Sequence, residues 1–133
     1  MMRALSIHPE YAMAILTGTK TEEYRTWTTK HRGDLLICNS AKKTHGAVAG
    51  YALCVAKITG IREINDAGGD YYGWQIAPFG PHGSYWIEPL AVKGQLRLFN
   101  VDDDLIHPAP FTDIQSPAAK KWYQEKISPL IYP

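Results

Sequence analysis

Lys20, Glu23 and Arg25 place an amine, a carboxylate and a guanidinium close together in the chain, and Trp27 follows two positions later. A lysine in a partly apolar cleft can lose its proton and act as a base or nucleophile, or keep its charge and hold a phosphate. Glu23 and Arg25 share one face if this stretch is extended, because side chains on a strand alternate. Arg25 can then orient Glu23, which accepts a hydrogen bond from a base edge or moves a proton. Two plainer readings stand beside these: Lys20 as a solvated turn residue, and Glu23–Arg25 as an ion pair on a sheet wall.

Further candidates lie around this core. Trp27 and Trp74 are core residues or platforms on which a base stacks, with Tyr71, Tyr72 and Trp86 as additional aromatics. Two basic clusters, Lys30-His31-Arg32 and Lys42-Lys43 with His45, are read as neighbours in space. They form a phosphate-contacting rim in which Arg32 and Lys42 bind ligand, or they are ordinary surface charge. Ser40 closes an apolar run and is placed to cap the strand or touch the ligand. His8 is read as a helix-start residue. The five histidines show no metal-ligand spacing, and GGD at 68–70 lacks the helix pattern of a phosphate loop. No metal or cofactor is implied.

The elements that must carry these residues can be traced along the chain. Residues 3–7 read as a strand, and His8-Pro9 opens a helix, since proline suits a first helical position. Ala12, Ile15 and Leu16 form its apolar face and Gly18 stops it. Thr21–Trp27 reads as a strand with Glu22, Tyr24 and Thr26 on one face and Glu23, Arg25 and Trp27 on the other. Residues 35–41 form a buried strand, and residues 48–64 a long central one that bends near Gly50 or Gly60. Residues 65–70 have loop composition. YYGWQI, SYWIEP and QLRLFNV are three more strands. Ser116-Pro117 starts a second helix whose stripe is Ala119, Trp122, Tyr123 and Ile127.

The expected fold is α+β: a small barrel of about six strands with a helix near each end, since closure removes exposed edges. Residues 1–104 form the barrel domain. Residues 105–133 form an extension whose helix packs on it, within one compact unit. The 133 residues suit one domain, and 45% apolar content provides a core. A net charge of +1 excludes a broadly basic surface, so any nucleic-acid contact must come from a local patch. Cys38 and Cys54 sit in apolar runs and read as buried thiols. With no signal-like or membrane-spanning segment, the expected protein is soluble and cytoplasmic, with a monomer favoured.

The stretch Leu5-Ser6-Ile7, Pro9, Gly18-Thr19-Lys20-Thr21, Glu23-Tyr24-Arg25-Thr26-Trp27, His31-Arg32-Gly33 and Asn39-Ser40-Ala41-Lys42 resembles the ASCH family, named for activating signal cointegrator homology, of the PUA-like superfamily. Tyr72-Gly73-Trp74, then Pro89, Lys93-Gly94 and Leu98-Phe99, extend the resemblance over residues 3–101. It implies a β-barrel with a cleft against the first helix, lined by the Lys-x-x-Glu-x-Arg stretch. The family is generally thought to bind RNA or nucleotides. Some small bacterial members are similar to amidohydrolases that deacetylate N4-acetylcytidine with a lysine at the position of Lys20 and a threonine where this chain has Glu23. A nuclease activity has also been suggested for a member.

The resemblance thus implies an RNA- or nucleotide-binding domain with no membrane partner. A small hydrolase acting on a modified nucleoside or on RNA is the alternative, with Lys20 and Glu23 as its catalytic pair. A protein-interaction role for Trp122 and Tyr123 is a third class.

Overall fold

Alternation within the first strand already sets up two cores. In β1 (Met2–Ile7), Leu5 and Ile7 face one way and Ala4 the other. The computed structural model, which describes residues 1–133, continues this through β3 (Gly33–Asn39), where Leu35 and Ile37 join Leu5, and Leu36 and Cys38 join Ala4. One face of the sheet is covered by α1 (Pro9–Leu16) and α2 (Pro117–Trp122), which contribute Ala12, Ile15, Leu16, Ala119 and Trp122 to the larger cluster. The other face closes over Ile87, Phe99, Val101 and Ile106.

The remaining strands are β2 (Glu22–Arg25), β4 (Tyr51–Asp66), β5 (Gly69–Ile76), β6 (Tyr85–Ala91) and β7 (Leu98–Val101). The sheet has seven strands, in the path β2-β5-β4-β3-β1-β7, and β6 pairs with β4 off that path. β1 and β3 are parallel, with Ile7 opposite Asn39; the other pairs are antiparallel. The long β4 serves three neighbours, and its ladder with β5 shifts register between Ile58 and Gly60, the region where the sequence suggests a bend.

The architecture is the expected α+β arrangement, strand-dominated with two helices. No ladder joins β2 back to β1 or β7, so the sheet is open where the expected barrel is closed. The Arg25 side chain spans that opening, donating from Nη2 to the Ser6 carbonyl at 3.0 Å. Residues 65–70, a loop by composition, form a tight hairpin in which Asp66 pairs with Gly69. Gly69 takes a φ of +109° there, and the Asp66 carboxylate accepts from the Gly68 N–H and the Tyr71 hydroxyl.

The last expected strand begins only at Leu98, because Arg97 adopts a φ of +57°. Ser116 caps α2 through Oγ, which accepts from the Ala119 N–H at 3.1 Å. The segment Tyr123–Ile127 continues it as a π-helical turn that still buries Ile127. No helix is long and apolar enough to cross a membrane.

Burial pushes the thiols of Cys38 and Cys54 up to about 12. Both are free and buried. The thiolate is the reactive form, so neither thiol reacts with a disulfide reagent at neutral pH until the fold opens. Labelling at pH 7.5 with and without urea checks this: rapid reaction of the native protein contradicts the burial.

Candidate functional site

Lys20 is fixed by the way α1 ends. Gly18 turns the chain with a φ of +82°, a left-handed conformation that suits glycine. The Lys20 N–H then donates to the Ala14 carbonyl at 3.0 Å, and the Thr19 hydroxyl donates to the same oxygen at 3.1 Å. The lysine therefore leaves the negative end of a helix, where a cation is favoured. β2 begins two residues later and presents Glu23 and Arg25 on the face that alternation predicts.

Glu23 is only 6% exposed. Its Oε2 accepts from Arg25 Nε at 3.0 Å and lies 2.9 Å from Arg25 Nη2. Its Oε1 faces Lys20 Nζ at 3.6 Å. The ammonium also lies over two rings, 4.6 Å from the centroid of Tyr24 and 5.5 Å from that of Tyr11. These groups line a cavity of about 490 Å³ whose other walls are Ile7 and His8, so it lies between the end of β1, the start of α1 and the edge strand β2. Two cations and one carboxylate leave it with one net positive charge. It offers ammonium and guanidinium N–H donors, one carboxylate oxygen not taken up by arginine, and two exposed aromatic faces.

Tyr11 and Tyr24 were not singled out by the sequence, yet they are 52% and 49% exposed and flank the ammonium. The available signal was an aromatic on the polar side of each element: Tyr11 lies off the Ala12-Ile15-Leu16 face, and Tyr24 alternates away from Glu23. Next to Glu23 on β2, Glu22 lines an adjoining cavity with Lys20 and Tyr24 and receives two hydrogen bonds from Arg62, which hold its carboxyl below the usual carboxylate range.

The other candidates are placed differently. Trp74 is 0% exposed and pairs opposite Glu23 in the β2–β5 ladder. It has no face free for a ligand, and its role is to support Glu23 and Trp27 from below. Trp27 meets the edge of Trp74 at 4.9 Å between centroids, and the Arg97 guanidinium lies 5.0 Å over its ring. It is half-buried and does not line the Lys20 cavity.

Ser40 follows β3 and donates its N–H to the Ile7 carbonyl at 2.8 Å; its buried hydroxyl has no partner. Ser40 and the exposed Lys42 therefore lie at the Ile7 end of the sheet, near the cavity but not in its wall. Arg32 donates to the carbonyls of Thr29 and His31. The two basic clusters do not form one rim: β3 runs between them, and its seven residues separate them by roughly 20 Å.

The protein is a strand-dominated α+β domain with a lysine–glutamate–arginine cleft between its first helix and an edge strand. The chain belongs to the ASCH domain family, whose model matches residues 5–127 and so runs into the C-terminal helix. Among solved structures, the ASCH protein of Zymomonas mobilis is similar, with a TM-score of 0.56 at 12% identity over 94% of this chain and 95% of that one. A point mutant of the same protein aligns with a TM-score of 0.57 over 98% of its chain. At this identity the likeness is one of fold. No curated protein matches the chain.

Proposed function

We propose that the Lys20–Glu23–Arg25 cleft binds one nucleotide unit of RNA, or the free nucleotide. The observation that carries this reading is the half-engaged Glu23 carboxylate. Arg25 saturates one oxygen and fixes the plane, while Oε1 faces the cavity beside the Lys20 ammonium. A fixed carboxylate oxygen accepts from an amino or imino group of a base edge, and the adjacent ammonium donates to a carbonyl or phosphate oxygen. Tyr11 and Tyr24 supply faces on which the base stacks.

Calorimetric titration with cytidine 5′-monophosphate and with a short single-stranded RNA tests the reading. Lys20→Ala is expected to weaken both by about tenfold or more, the worth of one charge-assisted hydrogen bond. Circular dichroism serves as the check that the variant is folded. Equal affinity in wild type and Lys20→Ala contradicts the reading.

A second reading is hydrolysis of the amide of an N4-acetylated cytidine. It is favoured by the 3.6 Å approach of Lys20 Nζ to Glu23 Oε1, which puts an amine beside a proton acceptor. Water would add to the acetyl carbonyl and the C–N bond break, giving acetate and the free base amine. Chromatography of N4-acetylcytidine incubated with folded protein decides it: cytidine formed by wild type and not by Lys20→Ala supports hydrolysis, and no cytidine removes it.

A further inference from the structure

Three strands end the sheet, and two of them are covered. The free side of β6 bonds to the segment that follows the 3-10 turn: the Glu88 N–H donates to the His107 carbonyl at 2.8 Å, and the Ala109 N–H donates to the Trp86 carbonyl at 2.8 Å. The outer side of β2 faces the cleft, and Arg25 ties it across to Ser6. β7 is the third, and nothing pairs with its side away from β1. Unpaired strand edges are templates for another strand, and proteins usually blunt them with charge or proline. Leu98-Phe99-Asn100-Val101 has neither, and its length of four residues alone limits what it can pair with. The two ends of the strand differ in charge. Lys93 and Arg97 precede it, and Asp102, Asp103 and Asp104 follow it. Lys93, Arg97 and Asp104 have no ion-pair partner within the chain. The large aliphatic side chains that the fold leaves exposed, Met1, Leu96 and Leu105, flank the same strand. Leu96, 94% exposed, stands two residues before it, Leu105 lies in the turn after it, and Met1 precedes the residue that pairs with Val101.

We infer that β7 pairs with β7 of a second copy of this chain, antiparallel about a two-fold axis. The inference is independent of the nucleotide reading of the cleft. Antiparallel pairing sets the basic end of one strand against the acidic end of the other. Centred on Asn100, it places Arg97 opposite Asp103 of the second copy; centred on Phe99, it places Arg97 opposite Val101 and one residue from Asp102. In both registers Leu96 comes against the acidic turn that carries Leu105, and every such contact occurs twice. An unrelated strand would need the same order of charge and leucine, which a second copy has by symmetry. A ladder of four residues is small beside the roughly 1,200–2,000 Å² of a stable interface, so the dimer is weak, with a dissociation constant of about 10 µM to 1 mM.

Sedimentation velocity of the full chain from about 10 µM to about 1 mM tests this, with a reversible monomer–dimer mixture as the expected result. Asn100→Lys, at an exposed position, puts a charge on the edge and is expected to weaken the dimer at least about tenfold. Arg97→Glu and Asp104→Lys are each expected to weaken it about threefold or more, since each change is felt at both ends of the interface. Combined, they restore opposite charges and should return it to within about twofold of wild type. Thermal melts check that the variants are folded. In the ¹⁵N-labelled wild type, amide shifts on dilution are expected to centre on Leu96 to Leu105. A monomer at every concentration overturns the pairing and leaves the edge to a strand of another protein. A dimer unchanged by Asn100→Lys, or dilution shifts centred elsewhere, overturns the assignment to β7. A combined variant no tighter than the single ones overturns the antiparallel arrangement.

Discussion

Arg25→Ala is expected to destabilise the domain by about 3 kcal/mol and to remove the nucleotide binding proposed for the cleft. Glu23 is nearly sealed from solvent and takes two contacts from this one guanidinium. Removing Arg25 leaves the Glu23 carboxylate with only the looser Lys20 contact at 3.6 Å, and breaking a buried ion pair from one side costs about 3–5 kcal/mol. The lower end applies because the Arg25 side chain keeps 25% of its surface exposed. In a domain of this size such a loss lowers the melting temperature by roughly 10 °C.

The same arginine also bridges the open side of the sheet to the Ser6 carbonyl. Arg25→Lys rescues little, because an ammonium cannot match the planar fork that reaches Glu23 and Ser6 together. Glu23→Leu combined with Arg25→Met separates the two roles, since it replaces the pair by apolar groups. It should recover most of the stability and none of the binding. Urea denaturation followed by ligand titration reads both. A loss below about 1 kcal/mol for Arg25→Ala would mean that the pair is solvated like a surface pair.

Trp74→Ala lowers stability by more, about 3–5 kcal/mol, through the cavity that it leaves. Trp74 is fully buried, stands opposite Glu23 in the ladder and contacts the edge of Trp27. Its Nε1–H donates to the Trp27 carbonyl at 3.4 Å. Losing the ring removes apolar burial and the support of Trp27 together. Trp74→Phe keeps part of the volume and should cost less than half as much. Thermal melts give the stabilities, and acrylamide quenching should show a more accessible Trp27 in Trp74→Ala. A melt within a few degrees of wild type would contradict the placement of Trp74 in the core.

Much of this arrangement is local and could be read from the chain. Pro9 and Gly18 bracket α1, and Ser116-Pro117 opens α2 with the cap that those residue types favour. Alternation along β2 placed Glu23 and Arg25 on one face, and the structure brings them together with Lys20. The features that were not legible depend on contacts distant in sequence. The parallel pairing of β1 with β3 puts Ser40 and Lys42 at the Ile7 end and Arg32 at the other, which no local pattern reveals. Tyr11 and Tyr24 come to flank one ammonium only because Lys20, in the turn between α1 and β2, reaches over both rings. Arg97 reaches Trp27 from a strained backbone position across the β6–β7 connection. The hairpin at Asp66–Gly69 looked like a loop because turn residues and strand ends share the same composition.

A titration of the ¹⁵N-labelled protein with cytidine 5′-monophosphate, followed through its amide resonances, tests the cleft most directly. Saturable shifts centred on Ile7, His8, Tyr11 and the segment from Lys20 to Arg25, and lost in Lys20→Ala, are the expected result. No saturable shift, or shifts centred instead on Lys42 to His45 or on Lys30 to Arg32, would contradict the assignment of the Lys20–Glu23–Arg25 cleft as the binding site.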